Sequence, residues 1–520
     1  MIDLSEFIVR ASSRHPMDNS GYDSTLHEYR PQFLKPQSYQ LFFNACPNLA
    51  GTPISSLPKI KSYSWNVKLK NSGPGGFNKT VSKNVTGGLT TGDCANRMLV
   101  PGEGNYLVTL TVKLQDGTSL TKTKLFPLFD WLVVSIGDSM ASGQGNPDKN
   151  GDTSIIGNIQ CEATTASLAA YSKFGLNIGT NTKPIWQDPR AYRSYKSGHS
   201  MAANRLQALS QGRVITFLSF ASSGASIEQG LLKPQFSSQS IGQIEEARKA
   251  IGNRSLNALL ITIGINDIGV IGTLKNLVLG FFGGKDPDQT LQAAKDIIPK
   301  IDKNFDLLAQ NIQNNLKPRQ VYITQYPADL FDSKRGGKGC GVFNVDTFEG
   351  IFLSISKRDA EVMQMIGSQL LNDAILRAAQ RHGWFLVDGI EKGFEGHGYC
   401  ASDTFFRGAE ESCDMQCDFE GVIHPNEKGH AEIAKHIISA LTAHTFTLAE
   451  TTFKSSMVDA MNQKIGGKVP LDPSSGTKVA PTTATSGGAN LVAVVANVAP
   501  AGEDSNQTIT KLKDGGEVRG

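Results

Sequence analysis

Four residues in this chain have the types and settings that ester hydrolysis needs. Ser139 sits in Gly137-Asp138-Ser139 at the end of Val133-Val134-Ser135-Ile136. Gly224 sits in Ala221-Ser222-Ser223-Gly224-Ala225-Ser226, Asn266 in Ile263-Gly264-Ile265-Asn266-Asp267, and His424 in Ile423-His424-Pro425-Asn426-Glu427-Lys428-Gly429-His430. A serine hydroxyl is a weak nucleophile until a base takes its proton, and an imidazole is a suitable base. A glycine N–H and an asparagine amide can donate hydrogen bonds to the oxyanion that develops as an ester carbonyl is attacked. The chemistry is therefore acyl transfer with Ser139 as nucleophile, His424 as base, and Gly224, Asn266 and the Ser139 N–H as oxyanion donors. Each residue also has an ordinary structural role, since serine caps helices and glycine and asparagine make turns. The four motifs together, two of them directly after strand-like apolar runs, favour the chemical reading.

The elements that must position these residues read as an alternation of strands and helices from Asp130 onward. Strands are predicted at Trp131–Ile136, Val214–Phe220, Ala258–Ile263, Val321–Gln325 and Trp384–Val387, each short and apolar or β-branched, as expected when both faces are buried. Helices are predicted at His199–Leu209, Ile241–Ile251, Thr290–Asn315, Leu353–Arg381 and Asn426–Leu441, with Gly383 as a stop for the fourth. This rhythm predicts an α/β fold, a parallel sheet flanked by helices. In such sheets the site forms at the carboxyl ends of the strands, and Ser139, Gly224 and Asn266 all fall just after a predicted strand.

From about Asp130 to about Ala443 the order of motifs resembles the SGNH hydrolases, also called the GDSL esterase/lipase family. The segment Gly137-Asp138-Ser139-Met140-Ala141-Ser142-Gly143-Gln144-Gly145-Asn146-Pro147 resembles the extended first block of their secreted bacterial lipase-like branch. Arg193-Ser194 with Gly198-His199-Ser200, and Gly396-His397-Gly398-Tyr399-Cys400, resemble that branch too. The resemblance implies a flavodoxin-like SGNH hydrolase fold and a lipase or acylhydrolase without metal or organic cofactor. The same machinery serves carbohydrate esterases that deacetylate polysaccharide, which is the alternative enzyme reading. From a different class comes a non-catalytic surface-binding or adhesion protein that keeps the fold; the intact Ser139, Gly224, Asn266 and His424 argue against it.

The chain departs from the family's pattern at one place. The common pattern has an aspartate three residues before the histidine, and this position is Gly421. Two arrangements follow. Asp418 or Glu420 reaches the imidazole as a third member, or a backbone carbonyl orients it and the site runs on a Ser-His dyad. The segment after the Asn266 block is strongly apolar, with Leu274, Leu277, Phe281 and Phe282. It reads as a buried strap or as a wall for an acyl chain, since ligand pockets are mostly apolar with few placed polar groups.

The remainder of the chain bounds the function. With 520 residues, two or three structural units are expected. A net charge of +3 gives no reason to invoke nucleic acid, and no apolar run is long enough to span a bilayer. Partners are therefore a small-molecule or lipid ester, or an acylated glycan. Residues 1–35 read as a poorly ordered lead-in. Residues 36–129 alternate apolar and polar, as in Tyr106, Val108, Leu110, Val112 and Leu114, and carry the hairpin signal Asp116-Gly117. They read as a small β-sandwich whose Glu103–Val112 text resembles PKD-like, immunoglobulin-like modules. Residues 130–450 read as the hydrolase domain, and a chain starting near Leu125 is expected to keep the activity. Residues 451–520 read as a flexible low-complexity tail. The seven cysteines (Cys46, Cys94, Cys161, Cys340, Cys400, Cys413 and Cys417) suggest disulfides in an exported protein, with reduced thiols as the alternative. A zinc set of Cys400, Cys413, Cys417 and His424 follows no standard spacing. The opening Met1-Ile2-Asp3-Leu4-Ser5-Glu6-Phe7 shows no signal peptide.

Overall fold

The computed structural model describes residues 7–11, 14, 21–45, 60–71, 73, 75–85, 95–151, 183–209, 213–269, 286–327, 330–331, 357–399, 401–418 and 420–449. These lie in one compact unit, Met1–Thr451. The expected tail, the apolar segment with Leu274, Leu277, Phe281 and Phe282, and Cys46, Cys94, Cys161, Cys340 and Cys400 lie outside the described residues.

Thirteen strands are described, β1 (Ile8–Ala11), β2 (Tyr22–Asp23), β3 (Glu28–Tyr29), β4 (Tyr39–Asn44), β5 (Ile60–Leu69), β6 (Asn78–Asn84), β7 (Ala95–Val100), β8 (Gly104–Leu114), β9 (Ser119–Gly137), β10 (Arg213–Ser219), β11 (Ala258–Thr262), β12 (Gln320–Thr324) and β13 (Phe385–Val387). The last five form the parallel sheet that the apolar runs predict. β10 and β11 flank β9, and β12 and β13 continue from β11, all in parallel. In chain order this is 2-1-3-4-5, the doubly wound arrangement typified by flavodoxin. β11 and β12 are buried along their whole length, which explains the apolar runs Ala258–Ile261 and Val321–Ile323 within them.

The helices follow the predicted alternation: α1 (Pro31–Leu34), α2 (Ser139–Ser142), α3 (Gly198–Leu209), α4 (Gln243–Ile251), α5 (Ile265–Ile268), α6 (Pro287–Asn315), α7 (Lys357–Gln364), α8 (Asp373–His382), α9 (Ile390–Gly393), α10 (Ala409–Gln416) and α11 (Glu427–Ala449). The single helix predicted over 353–381 is divided by a π-helical stretch, Met365–Asn372. Gly383 ends α8 in the left-handed conformation, as its sequence position suggests.

N-terminal to the parallel sheet the chain is β-rich. β1, β4 and β7 form a three-stranded antiparallel sheet. β6, β5, β8 and the first half of β9 form a second antiparallel array, with β8 and β9 paired through the Asp116-Gly117 turn. One apolar cluster takes Val9, Leu41, Phe43 and Val100 from the first sheet and Trp65, Val67, Tyr106, Val108 and Leu110 from the second. β9 continues from this array into the parallel sheet without a break, across the position 129/130 where the sequence suggests a boundary.

Residues expected to be a poorly ordered lead-in take part in this packing. Phe7, Val9 and Ala11 alternate inward, and β1 pairs with β4. Further on, Tyr22 and Tyr29 belong to the core of the parallel-sheet part. The Tyr29 hydroxyl accepts from the Ser219 N–H at 2.6 Å and donates to the Ser219 carbonyl at 3.1 Å. Arg14 bridges to Thr216 of β10. These residues cover the side of β10 that faces away from β9, where unpaired backbone groups need partners. Asp130, buried in β9, accepts from Arg14, Tyr39, Thr216 and Arg254 and so ties the lead-in and β4 to the parallel sheet.

No described helix is long and apolar enough to cross a membrane.

Candidate active site

Ser139 follows β9 directly. Gly137, the last residue of β9, has φ +145°, and a side chain there would run into the Thr262 carbonyl, so the position admits only glycine. Both backbone groups of Gly137 bond the carboxamide of Gln243, at 2.8 and 2.9 Å. Asp138 caps the short helix α2 by accepting from the Met140 N–H at 3.0 Å. Its other oxygen accepts from the Tyr326 hydroxyl. Burial pushes the Asp138 carboxyl up to about 7, against the pull of these hydrogen bonds. Tyr326 is in turn fixed by Asn372 at the end of the π-helical stretch, which bonds the Tyr326 N–H and carbonyl at 2.9 and 3.0 Å. The turn carrying Ser139 is thus braced, through Tyr326 just after β12, by the last residue of the π-helical stretch.

Gly224 follows β10 and Asn266 follows β11, on either side of β9. The two meet: the Asn266 amide donates to the Ala225 carbonyl at 2.8 Å. Asp267 receives the Ile227 N–H at 3.0 Å, which fastens the same two loops a second time. Gly224 has φ +79°. Among the described residues the N–H groups of Ser139 and Gly224 donate to no protein acceptor. The Asn266 amide keeps a second hydrogen. These are spare donors at the carboxyl ends of three adjacent strands, at the point where the strand order reverses.

His424 lies in the loop before α11. The segment Thr404–Arg407 pairs with it: the Arg407 N–H donates to the His424 carbonyl at 2.8 Å, and the Ile423 N–H to the Arg407 carbonyl at 3.0 Å. Ile423 has φ +63°, a strained conformation for a β-branched residue that this pairing holds in place. The imidazole Nδ1 donates to the Val422 carbonyl at 3.1 Å. The turn that continues from Ser139 packs on this loop. A side chain on Gly145 would come within 3.3 Å of the His424 Cβ, and the Asn146 amide donates to the Pro425 carbonyl at 2.7 Å. The Arg407 guanidinium donates to the Gly145 carbonyl at 3.0 Å and to Asn146 Oδ1 at 2.6 Å. Ser139 and His424 are only 7% and 8% exposed, a setting that limits competing water.

The two acidic candidates are placed differently. The Asp418 carboxylate accepts from the Tyr192 hydroxyl at 2.8 Å, from the Glu420 N–H at 2.8 Å and from the Gln416 amide. Burial raises its pKa, with those hydrogen bonds opposing. Glu420 is exposed, and its carbonyl accepts from Gln144. Residues of the other two segments that resemble the lipase-like branch make packing and hydrogen-bond contacts. His199 lies under the site, bonding Ser135 Oγ at 2.7 Å and Thr262 Oγ1 at 2.9 Å. Arg193 donates to the Ala221 carbonyl at 2.8 Å, and His397 stacks on Phe405 at 3.9 Å. His430 accepts from the Gly198 N–H.

Among the described residues no group of three or more His, Cys, Asp or Glu side chains is placed to hold a metal ion. Sequence reasoning does not find Gln144, Gln235, Tyr326, Asn372 or Arg407. Gln144, Tyr326, Asn372 and Arg407 make contacts distant along the chain, Gln235 reaches Ser223 twelve residues earlier, and only Gln144 lies inside a recognisable motif.

No protein-family model matches the chain, and no curated protein matches it. Solved structures do. An extracellular lipase from Streptomyces rimosus is similar over 60% of this chain and 99% of its own, at 17% identity and TM-score 0.39. An alpha/beta hydrolase enzyme from the metagenome of Lake Arreo covers 60% of this chain and 94% of its own, at 15% identity and TM-score 0.27. An acetyl xylan esterase from Geobacillus stearothermophilus covers 61% and 94%, at 12% identity and TM-score 0.26. At these TM-scores the functional reading rests on the site's own geometry.

Proposed function

We propose that the protein is a serine ester hydrolase of the lipase or acylhydrolase kind. The observation that carries this reading is the convergence of Ser139, Gly224 and Asn266 at the ends of three neighbouring strands, with the turn after Ser139 packed on the His424 loop. In the mechanism that fits, His424 Nδ1–H is held by the Val422 carbonyl, so Nε2 is the basic nitrogen. Nε2 takes the proton of the Ser139 hydroxyl as the oxygen attacks the ester carbonyl. The oxyanion draws on the Ser139 and Gly224 N–H groups and the Asn266 amide. The imidazolium then gives its proton to the departing alkoxide, leaving an acyl-serine. A water molecule, deprotonated by the same nitrogen, releases the acid. No step calls for a metal or an organic cofactor.

The test is direct. Ser139→Ala and His424→Ala should each abolish hydrolysis of soluble p-nitrophenyl esters while the melting temperature stays near that of the parent. A fluorophosphonate should label Ser139 and leave Ser142, whose hydroxyl donates to the Ser139 carbonyl, unmodified. Full activity in Ser139→Ala, or labelling elsewhere, would sink the reading.

We read the β-rich N-terminal part as a PKD-like, immunoglobulin-like sandwich, supported by the apolar cluster that both antiparallel sheets supply. Slow hydrogen exchange in β4 and β8 alike is expected, and fast exchange throughout β4 would remove the sandwich. The cysteine content supports an extracytoplasmic location. Fractionation of the source cells checks it, and protein confined to the cytosol would overturn it.

A further inference from the structure

The peptide between Ser223 and Gly224 is the least protected part of the site described above. Gly224 is exposed, sits at φ +79° and has no side chain to anchor it. Its N–H is useful to an oxyanion only if the peptide plane is held in one orientation. Two glutamines from elsewhere in the chain supply that hold. The Gln235 amide donates to the Ser223 carbonyl at 2.5 Å. A trans peptide is planar, with its carbonyl and N–H on opposite sides. Fixing the Ser223 carbonyl on Gln235 therefore directs the Gly224 N–H away from Gln235. The Ser223 hydroxyl meanwhile donates to the carboxamide oxygen of Gln144.

Gln144 does more than hold Ser223. It is 1% exposed, and its N–H donates to the Ser139 carbonyl at 3.2 Å. Its side-chain amide donates to the Glu420 carbonyl at 2.6 Å, four residues before His424. Its backbone thus contacts the nucleophile turn, and its planar side chain contacts the Ser223–Gly224 loop and the His424 loop. A carboxamide accepts from a hydroxyl and donates to a carbonyl with one terminal group. An ionised glutamate could accept but not donate, and methionine offers no comparable donor.

We propose that Gln144 and Gln235 are positioning residues for ester hydrolysis, orienting the Gly224 N–H and holding that loop in register with Ser139 and His424. This rests on the ester-hydrolase reading. The effect should appear in the transition state rather than in substrate binding. Losing one oxyanion donor outright costs about 10²–10³ in rate, so a misdirected donor should cost roughly 10–100-fold.

The experiment measures kcat and KM on one soluble ester, affinity for a trifluoromethyl ketone transition-state analogue, and melting temperature. It compares the parent with Gln144→Met, Gln144→Glu, Gln235→Leu and Ser223→Ala, with Ser223→Ala also made in the Gln144→Met background. The expected result is a drop in kcat of about 10–100-fold in Gln144→Met and Gln235→Leu, with KM within about twofold and analogue affinity falling in proportion to kcat/KM. Gln144→Glu, which keeps the acceptor for Ser223, should retain more activity than Gln144→Met. Ser223→Ala should cost little further in the Gln144→Met background, because both changes break one bond. A melting temperature that falls while kcat and analogue affinity hold would make both glutamines merely structural and overturn the proposal. Additive losses in the double variant would overturn the link from Gln144 to Ser223. An inactive parent protein would instead remove the hydrolase reading itself.

Discussion

The imidazole Nδ1 of His424 bonds the carbonyl oxygen of Val422, 3.1 Å away and two residues earlier in the chain. A carbonyl selects the tautomer and sets the ring plane but brings less charge stabilisation to the imidazolium than a carboxylate would. The Asp418 carboxylate meanwhile accepts from Tyr192, Gln416 and the Glu420 N–H. We therefore propose the dyad, with the Val422 carbonyl in the place of an acid. Asp418→Asn and Glu420→Gln should each lower kcat by less than about tenfold on a soluble ester, whereas a triad acid can be worth about 10⁴. A thousandfold loss in either variant would refute the dyad and identify the third residue.

Asn266 has a different signature. One amide hydrogen is taken by the Ala225 carbonyl, and on the proposed reading the other is the oxyanion donor. Asn266→Ala should lower kcat by about 10²–10³ with little change in KM, because the donor acts mainly on charge that exists only in the transition state. Steady-state kinetics decides it, and an unchanged kcat removes Asn266 from the site.

The parallel sheet was legible because a strand buried on both faces is largely apolar, as Ala258–Ile261 is. A residue placed after such a run is at the sheet's carboxyl edge, which is why Ser139, Gly224 and Asn266 could be read together. The braces could not be read. Gln144 meets Glu420 across a separation of 276 residues and Asp138 meets Tyr326 across 188. A single polar contact at such distance leaves no periodic trace. The expected boundary near residue 130 follows a change of composition that the backbone ignores. Pro127, usually a strand breaker, stays in β9 opposite Asn105. The lead-in escaped notice for a related reason. Its inward residues Phe7, Val9 and Ala11 span too few positions to establish alternation.

Tyr29 supplies a test of that lead-in. Its hydroxyl satisfies both backbone groups of Ser219, at the end of the strand that leads to Gly224. Tyr29→Phe leaves that buried N–H and carbonyl without this partner, at a cost of about 1–3 kcal/mol each at most. The melting temperature should fall measurably. The sequence alone reads a chain starting near Leu125 as self-sufficient; the packing of Tyr22 and Tyr29 into the larger core argues the opposite. Such a truncated chain should be unfolded or aggregated. A soluble, cooperatively folding and active truncation would show that the lead-in is dispensable.

The last prediction concerns acid stability and begins at His199. Burial holds its imidazole down to about 3, from an ordinary value of 6.5, while its two nitrogens bond Ser135 and Thr262. In the unfolded chain the ring takes a proton as pH falls through 6.5; in the folded chain it does not until about 3. Its contribution to stability is therefore complete above pH 6.5 and is lost progressively down to about 3. Asp138 works in the opposite sense. Its folded value of about 7 lies above the ordinary 3.8, so its neutral form favours the fold at low pH and that advantage fades as pH rises to 7. A comparison of the parent with His199→Gln cancels the Asp138 part, which both proteins share. The variant should be the less stable at pH 7.5, and the gap between the two should narrow as pH falls from 6.5 toward 4. Urea unfolding at several pH values measures it. A gap that stays constant across that range would show that His199 does not enter the folded state as the neutral ring.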